Sequence, residues 1–223
     1  MLRVARVVLA RVPHHVTQRG ARGMKVFSGA KDYREYLRLL QGQAQSHRLE
    51  ILSWCLMSNH IHLVVTPEMK SGLSAGIGEA HKKYTRYVNF RAGVRGYLFQ
   101  GRFYSCPLDE QHFMAAVRYV ERNPVRAGRT KQAWDYPWSS AAYHVGRVEK
   151  DPLVSTREPY QLVGEKDWRE LLRREPSEAG RLRRSTSTGR PCGSESFVAA
   201  AERLTGRVLH PLKPGRRPKK RKE

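Results

Sequence analysis

Residues 57–65, MSNHIHLVV, contain two histidines separated by a single residue. Successive side chains of a β-strand point to opposite faces, so a strand here would place His60 and His62 on one face and Ile61 and Leu63 on the other. The two histidine Cα atoms would lie roughly 7 Å apart. Both neutral rings could then bind one metal ion together with a third ligand. The spacing alone fits a surface strand without a function equally well.

A second set of reactive side chains lies in a helix that we predict over residues 110–122. Its buried stripe consists of Phe113, Ala116, Val117 and Val120. Tyr119 falls on the edge of this stripe, with Arg122 and Asn123 one turn later on the same side. Pro124 disfavours helical geometry at Asn123, so the helix should end there and leave the amide free to turn toward a ligand. A tyrosine in such a position is more often packing than chemistry.

Together the two segments contain the groups needed to cleave a phosphodiester. A phenol can attack phosphorus as a covalent nucleophile, but a pKa of about 10 leaves it mostly protonated at neutral pH. A divalent metal ion that polarises the phosphate compensates for this. Two imidazoles and an amide oxygen form an open, oxygen-containing ligand set, which favours Mg²⁺ or Mn²⁺ over a closed structural zinc site.

The composition favours a nucleic-acid partner. The 223 residues include 42 Lys and Arg against 20 Asp and Glu, a formal net charge of +22. Such an excess favours a polyanion, nucleic acid first and an anionic membrane surface second. The sequence has no run of 18 or more apolar residues, so no membrane span is predicted. Its three distant cysteines fit free thiols in a reducing compartment, and we predict a cytoplasmic protein.

Hydrophobic periodicity predicts the elements that position these residues. In chain order they are a strand at 14–19, a helix from 32 to about 47, a hairpin of strands at 49–57 and 60–66, a helix over 73–92, a strand near 104–109 and the helix of 110–122. This connectivity predicts an α+β, ferredoxin-like antiparallel sheet with helices packed on one face.

Two further basic segments are predicted to contact DNA. Residues 93–105, GVRGYLFQGRFYS, combine glycine, arginine and aromatic residues, which suits phosphates and unstacked bases, with Gln100 and Arg102 as contacts. A hydrophobic loop that covers the core would fit the same aromatic residues. The C-terminal KPGRRPKKRKE is predicted to be disordered. Its Arg216 and Arg217 suit an A·T-rich minor groove, and a solvated tail with non-specific affinity suits them equally.

The sequence resembles the single-tyrosine HUH transposases, specifically the REP-associated tyrosine transposase branch. The stretches that carry this resemblance are, in the family's order, HHVTQRG (14–20), WCLMSNHIHLVV (54–65), GYLFQGRFYS (96–105), RYVERNPVRAG (118–128) and YPWSSAAY (136–143). They cover about residues 10–146. STSTGRPCGSESF (185–197) and the later GRRPKK resemble more loosely a C-terminal extension of some members.

The resemblance implies roles for individual residues. His60 and His62 correspond to the family's metal ligands, Tyr119 to its nucleophile and Asn123 to the third ligand. It also implies a metal-dependent single-strand DNA endonuclease and strand transferase that uses Mg²⁺ or Mn²⁺. The nucleophile would form a 5′-phosphotyrosine and release a 3′-OH, without ATP. The implied substrates are palindromic repeat hairpins, with Arg122 as a further predicted DNA contact, and the implied location is the bacterial nucleoid.

We predict three parts of the chain. Residues 1–146 form the HUH single-tyrosine transposase domain with the HUH endonuclease fold. Residues 147–192 form a charged linker with a short helix, with 185–193 as its clearest linker sequence. Residues 193–223 form a small helical segment and a basic, disordered tail.

Two other functions remain open at this point. A non-catalytic protein that recognises repeat hairpins would share the basic charge. A zinc-dependent hydrolase would need a further ligand, for which His14, His15, His81 and His112 are available although no pattern joins them to the HIH pair. The oligomeric state is also open between a monomer and a homodimer.

Overall fold

The computed structural model describes residues 5–156 and 163–210. Four strands form one antiparallel sheet in the order β2-β3-β1-β4. They are β1 (His14–Arg19), β2 (Leu49–Met57), β3 (His60–Pro67) and β4 (Tyr104–Pro107). This ferredoxin-like order confirms the predicted α+β sheet.

Eight helices of four or more residues accompany the sheet in the described part of the chain. They are α1 (Ala30–Ser46), α2 (Gly72–Ala92), α3 (Glu110–Glu121), α4 (Asn123–Arg126), α5 (Ala141–His144), α6 (Glu165–Arg173), α7 (Ala179–Thr188) and α8 (Glu195–Thr205). Short 3₁₀ turns lie at Ala21–Gly23 and Ala133–Asp135. The strands and the three long helices of the first half match the predicted periodicity within a few residues.

The β2–β3 hairpin and α3 show how local sequence fixes the elements that carry the reactive residues. Ser58 and Asn59 form the two-residue turn between β2 and β3, and Met57 pairs with His60. The Asp109 carboxylate caps α3 by accepting a hydrogen bond from the backbone N–H of His112 at 2.9 Å. Helix α3 ends at Glu121, and α4 begins at once with Pro124 in its first turn.

The sheet is covered on both faces, which corrects the expectation that the helices pack on one face. Helices α1 and α2 pack on the face that carries Ile61 and Leu63, in one large apolar cluster. Helices α3, α6 and α7 pack on the opposite face, around Val64. The physical reason is that β2 has apolar side chains on both faces, since Leu56 belongs to the first cluster and Met57 to the second.

Residues 165–192, which lie within the predicted charged linker, form two helices that each bury a few side chains against the sheet and α3. Trp168 and Leu182 are fully buried in the cluster of the α3 face, and Thr186 is 2% exposed. After α7 the chain returns to the edge strand, where the backbone N–H of Cys192 donates to the carbonyl oxygen of Pro107 at 2.8 Å. The polar sequence hid this packing because only every third or fourth residue of α6 and α7 faces the core.

The aromatic residues of the loop 93–103 were predicted either to contact DNA or to cover the core, and they differ in which of these they suit. Phe99 and Phe103 are buried and pack near His81, with the Phe99 and His81 ring centroids 4.5 Å apart. Tyr97 is 90% exposed. The loop therefore covers the core with two aromatic side chains and presents the third to solvent.

The three cysteines, Cys55, Cys106 and Cys192, are buried and free. Within residues 5–156 and 163–210, no helix is both long enough and apolar enough to cross a membrane. The predicted minor-groove residues Arg216 and Arg217 lie outside the described residues.

Candidate metal and nucleophile site

The histidine pair of β3 and the tyrosine of α3 meet on the face of the sheet that α3 covers. The ring centroids of His60 and His62 lie 5.1 Å apart, with the ring planes nearly perpendicular. The Tyr119 ring lies 5.7 Å from the ring of His62, edge to face. Strand alternation places the two imidazoles together, and the buried stripe of α3 places Tyr119 beneath them. The structure thus brings three of the predicted site residues into contact.

Asn123 lies at the junction of α3 and α4, and its side chain is held in one orientation. Its Nδ2 donates to the carbonyl oxygens of Tyr119 at 3.0 Å and Val120 at 3.1 Å. Because both donors are used in this way, Oδ1 faces away from α3. Oδ1 accepts a hydrogen bond from Arg126, and the Asn123 side chain also lies near His60. The amide is therefore turned toward the histidine pair.

His60 is oriented by the turn that precedes it. Its Nδ1 lies 2.7 Å from Oδ1 of Asn59. An amide oxygen only accepts, so Nδ1 carries the proton and the lone pair lies on Nε2. Burial lowers the pKa of His60 to about 4, against the opposing effect of the nearby Asn123 side chain. The ring is thus neutral at pH 7 and can act as a metal ligand.

His62 is buried more deeply and has a histidine beside it. Burial lowers its pKa well below the usual value, and the nearby rings of His15 and His60 and the charge of Arg126 act in the same direction. Nδ1 of His62 lies 3.0 Å from Nε2 of His15, and the two rings are stacked with centroids 5.3 Å apart. Among the described residues, Nε2 of His62 has no hydrogen-bond partner.

The metal-ligand chemistry of these residues fits a divalent ion. Two neutral imidazoles lie beside the Asn123 amide, and a donor set of this kind suits an open site of mixed nitrogen and oxygen ligands. In the described part of the chain, no group of three or more His, Cys, Asp or Glu side chains is arranged to hold a metal. His60, His62 and Asn123 as the ligands of such an ion stay a prediction.

Two arginines place positive charge around the Tyr119 phenol. The Arg126 guanidinium lies 4.2 Å from the Tyr119 ring centroid, and Nε of Arg183 donates to Oη of Tyr119 at 3.3 Å. Glu175 lies between them, 3.3 Å from Arg126 and 3.6 Å from Arg183. Arg183 and Glu175 belong to the C-terminal segment, so this segment contributes to the surroundings of Tyr119.

Comparison with known proteins is consistent with this arrangement. The family model described as "Transposase IS200 like" matches residues 10–123, just over half of the chain. The chain belongs to this family. The matched range contains His60, His62, Tyr119 and Asn123, and it ends before Arg126. The predicted transposase family is thereby confirmed.

Two solved structures are similar to this transposase. A REP-associated tyrosine transposase bound to a REP hairpin is 20% identical, covers 70% of this chain and 92% of its own, and superimposes with a TM-score of 0.56. At this identity the likeness shows a shared fold. A protein of Deinococcus radiodurans R1 is 15% identical over 54% of this chain and 97% of its own, with a TM-score of 0.38. The transposase has no significant match among curated proteins.

The predicted DNA contacts of the transposase differ in their accessibility. Gln100 and Arg102 are exposed, and the backbone N–H of Gln100 donates to the carbonyl oxygen of Arg19 at 2.8 Å. Arg19 pairs with His60 across β1 and β3, so the loop borders the histidine pair. Arg122, in contrast, is 8% exposed and bonds the Leu172 carbonyl and Glu175. The C-terminal segment thus covers Arg122, and its contact with DNA stays a prediction.

Sequence reasoning did not assign three residues that the transposase places in the site. His15 appeared only as a spare zinc ligand, yet its ring lies 5.6 Å from the Tyr119 ring, and burial lowers its pKa to about 3. Strand alternation in HHVTQR could have shown that one of its two histidines shares the face of His62. Arg126 lies within the quoted RYVERNPVRAG stretch. Arg183 gave no signal, because only the folding of α7 brings it to Tyr119.

Proposed function

We propose that this transposase is a metal-dependent single-strand DNA endonuclease and strand transferase whose nucleophile is Tyr119. The observation that carries the proposal is the convergence of the Tyr119 phenol with the imidazoles of His60 and His62. Family membership supports the same reaction class. The buried position of a tyrosine beside neutral histidines and two arginines suits a nucleophile better than a packing role.

The reaction follows from the groups present. Oη of Tyr119 attacks a backbone phosphorus, the bond from phosphorus to the 3′ oxygen breaks, and the 5′-phosphate remains on the tyrosine. The phenol proton passes to solvent, and the released 3′ oxygen gains a proton. Attack by another 3′-OH reverses these steps and rejoins DNA, so no ATP is consumed. His60, His62 and Asn123 would hold Mg²⁺ or Mn²⁺, which supplies polarisation of the phosphate when bound.

The arginines beside the phenol support the step electrostatically. The hydrogen bond from Arg183 would stabilise negative charge on Oη as the proton leaves. Arg126 lies over the ring and already bonds Asn123, so its charge reaches both the nucleophile and the third ligand. In a partly buried site such charges act more strongly than in water.

We infer that the substrate is a folded single strand, with palindromic repeat hairpins as the substrate class. The net charge of +22 suits a polyanion, and the exposed Gln100, Arg102 and Tyr97 lie on the loop that borders the histidines. A similar structure was solved with a REP hairpin, which supports the same class here. The basic tail with Arg216 and Arg217 would add non-specific affinity. We place the protein on DNA in the bacterial cytoplasm, as a monomer or homodimer.

The alternative is a non-catalytic protein that recognises repeat hairpins. It shares the basic surface and the loop but needs neither a nucleophile nor a metal ion. No observation on the described residues favours it over the enzyme, since Tyr119, both histidines and Asn123 are all present and adjacent. The two functions therefore differ in covalent chemistry and in the need for a metal ion.

The test is a cleavage assay on a panel of single-stranded repeat hairpins with Mn²⁺ or Mg²⁺. The wild-type protein should cleave at least one hairpin and form a denaturant-resistant protein–DNA adduct. Tyr119→Phe should bind the hairpin with similar affinity and form neither product nor adduct. Tyr97→Phe is the matched control, because it removes the hydroxyl of a highly exposed tyrosine and keeps the aromatic ring that could stack on a base. Tight hairpin binding without cleavage by the wild type would favour the alternative.

A further inference from the structure

A continuous series of hydrogen bonds connects α7 to His62. Oγ1 of Thr186 lies 2.7 Å from Nδ1 of His15, and Nε2 of His15 lies 3.0 Å from Nδ1 of His62. All three side chains are buried: Thr186 is 2% exposed, His15 1% and His62 6%. Thr186 lies outside the range that the family model matches. Its contact with the site therefore depends on how the C-terminal segment of this chain folds.

Thr186 sets which group donates and which accepts in each of these hydrogen bonds. Its hydroxyl donates to the carbonyl oxygen of Leu182, one turn earlier in α7, at 2.8 Å. A hydroxyl has a single proton, so toward His15 it acts as an acceptor. Nδ1 of His15 therefore carries that ring's proton, and Nε2 of His15 is left as an acceptor. Nδ1 of His62 in turn donates to it, because a neutral imidazole has one donor and one acceptor nitrogen.

The consequence for the site is the placement of a lone pair. With its proton on Nδ1, His62 presents a lone pair on Nε2. His60 is set in the same state by Asn59. If the hydroxyl of position 186 were absent, Nδ1–H of His15 would lose its acceptor. The ring would then favour the opposite tautomer, donate from Nε2 to His62, and place the His62 proton on Nε2, where a metal ion would need the lone pair.

We propose that Thr186 and His15 are positioning residues that fix the Nδ1–H tautomer of His62 and so prepare its Nε2 for a divalent metal ion. The inference rests on the metal site of the proposed function. Partners of this kind typically change metal affinity by about 10- to 100-fold. The segment after the matched family region then has a role in metal binding as well as in packing.

The test reads tautomers directly and metal affinity separately. Long-range ¹H–¹⁵N NMR spectra of ¹⁵N-histidine-labelled full-length protein, free of metal at neutral pH, report which ring nitrogen carries the proton. Mn²⁺ titration followed by EPR gives the dissociation constant without DNA. The variants are Thr186→Val, which removes the hydroxyl at nearly constant shape, and Thr186→Ser, which keeps it. Thr188→Val is the control, because its exposed hydroxyl bonds only α7 carbonyl oxygens.

We expect Nδ1–H on His15 and His62 in the wild type, Thr186→Ser and Thr188→Val. Thr186→Val should shift His62 to Nε2–H and weaken Mn²⁺ binding about 10- to 100-fold. An Nε2–H tautomer of His62 in the wild type would overturn the inference, and so would unchanged Mn²⁺ affinity in a folded Thr186→Val. If Thr186→Val does not fold, the wild-type tautomers still decide. Failure of the adduct assay at Tyr119, with these tautomers present, would instead count against the proposed nucleophile.

Discussion

Two clusters of buried histidine and tyrosine lie on opposite faces of the sheet. On the α1–α2 face, the Tyr36 hydroxyl lies 2.9 Å from Nε2 of His81, and the Tyr84 hydroxyl donates to the Val26 carbonyl oxygen at 2.9 Å. On the α3 face, Tyr119 meets His15 and His62. In the first cluster both tyrosine hydroxyls are hydrogen-bonded to uncharged groups. In the second cluster the tyrosine hydroxyl accepts a hydrogen bond from the charged side chain of Arg183.

The comparison shows that residue type alone does not distinguish a structural histidine or tyrosine from a reactive one. The hydrogen-bond partners of each polar atom do distinguish them. Burial raises the pKa of Tyr36 and of Tyr84, which holds both phenols protonated. In the second cluster, Nδ1 of His60 and of His62 is hydrogen-bonded to a neighbour, which leaves Nε2 for a ligand. We therefore expect substitutions in the first cluster to change stability and those in the second to change activity.

The largest expected effect concerns the histidines. His62→Ala should abolish tight Mn²⁺ binding and reduce hairpin cleavage by at least about 10³-fold, because a metal ligand is lost. His81→Gln, on the other face, should leave cleavage within about threefold of the wild type. Single-turnover cleavage rates at saturating Mn²⁺ measure both. Cleavage by His62→Ala within tenfold of the wild type would remove the distinction between the two clusters.

Arg183 tests whether α7 takes part in the chemistry. Arg183→Gln should slow cleavage about 10- to 100-fold, because a charge-assisted hydrogen bond to the Tyr119 hydroxyl is lost. Arg184→Gln, the adjacent and exposed residue of the same helix, removes the same charge without that contact. Single-turnover rates and hairpin dissociation constants separate the two effects. Equal losses in both variants would mean that Arg183 contributes only to DNA binding.

Removing a tyrosine hydroxyl should reduce stability more in the first cluster than in the second, the reverse of the order expected for activity. Tyr36→Phe should lower the free energy of unfolding by about 1–3 kcal/mol, because it leaves Nε2 of buried His81 without its partner. Tyr119→Phe should lower it by less than about 1 kcal/mol, because its contact to Arg183 is half-exposed and long. Urea unfolding curves give both values. A larger loss in Tyr119→Phe would show that Tyr119 is mainly a packing residue.

The last expected effect is a pH dependence of stability from His81, which is confined to acidic pH. Burial lowers the pKa of His81 to about 3, with the nearby charge of Arg6 acting in the same direction. The unfolded chain binds this proton from its ordinary pKa of about 6.5 downward, so stability falls as pH decreases below that value, by up to about 1.4 kcal/mol per pH unit. His81→Gln should reduce the slope between pH 6 and 4 by one proton. Urea midpoints across this range measure it, and an unchanged slope would contradict the buried neutral state.

The sequence predicted the sheet and the HIH strand because period-two and helical patterns are strong over residues 14–122. The roles of His60, His62, Tyr119 and Asn123 came from a resemblance, and their adjacency is what the structure adds. The covering of Arg122 and the position of Arg183 could not be predicted, because both depend on long-range packing of α6 and α7. The polar sequence of these helices gave only a weak amphipathic pattern.

The central claim is tested most directly by mapping the covalent adduct. The wild-type protein is incubated with a cleavable single-stranded hairpin and Mn²⁺, digested with protease and nuclease, and analysed by mass spectrometry. We expect a nucleotide attached through its 5′-phosphate to the oxygen of Tyr119. Cleavage with no adduct, or an adduct on another residue, would contradict it.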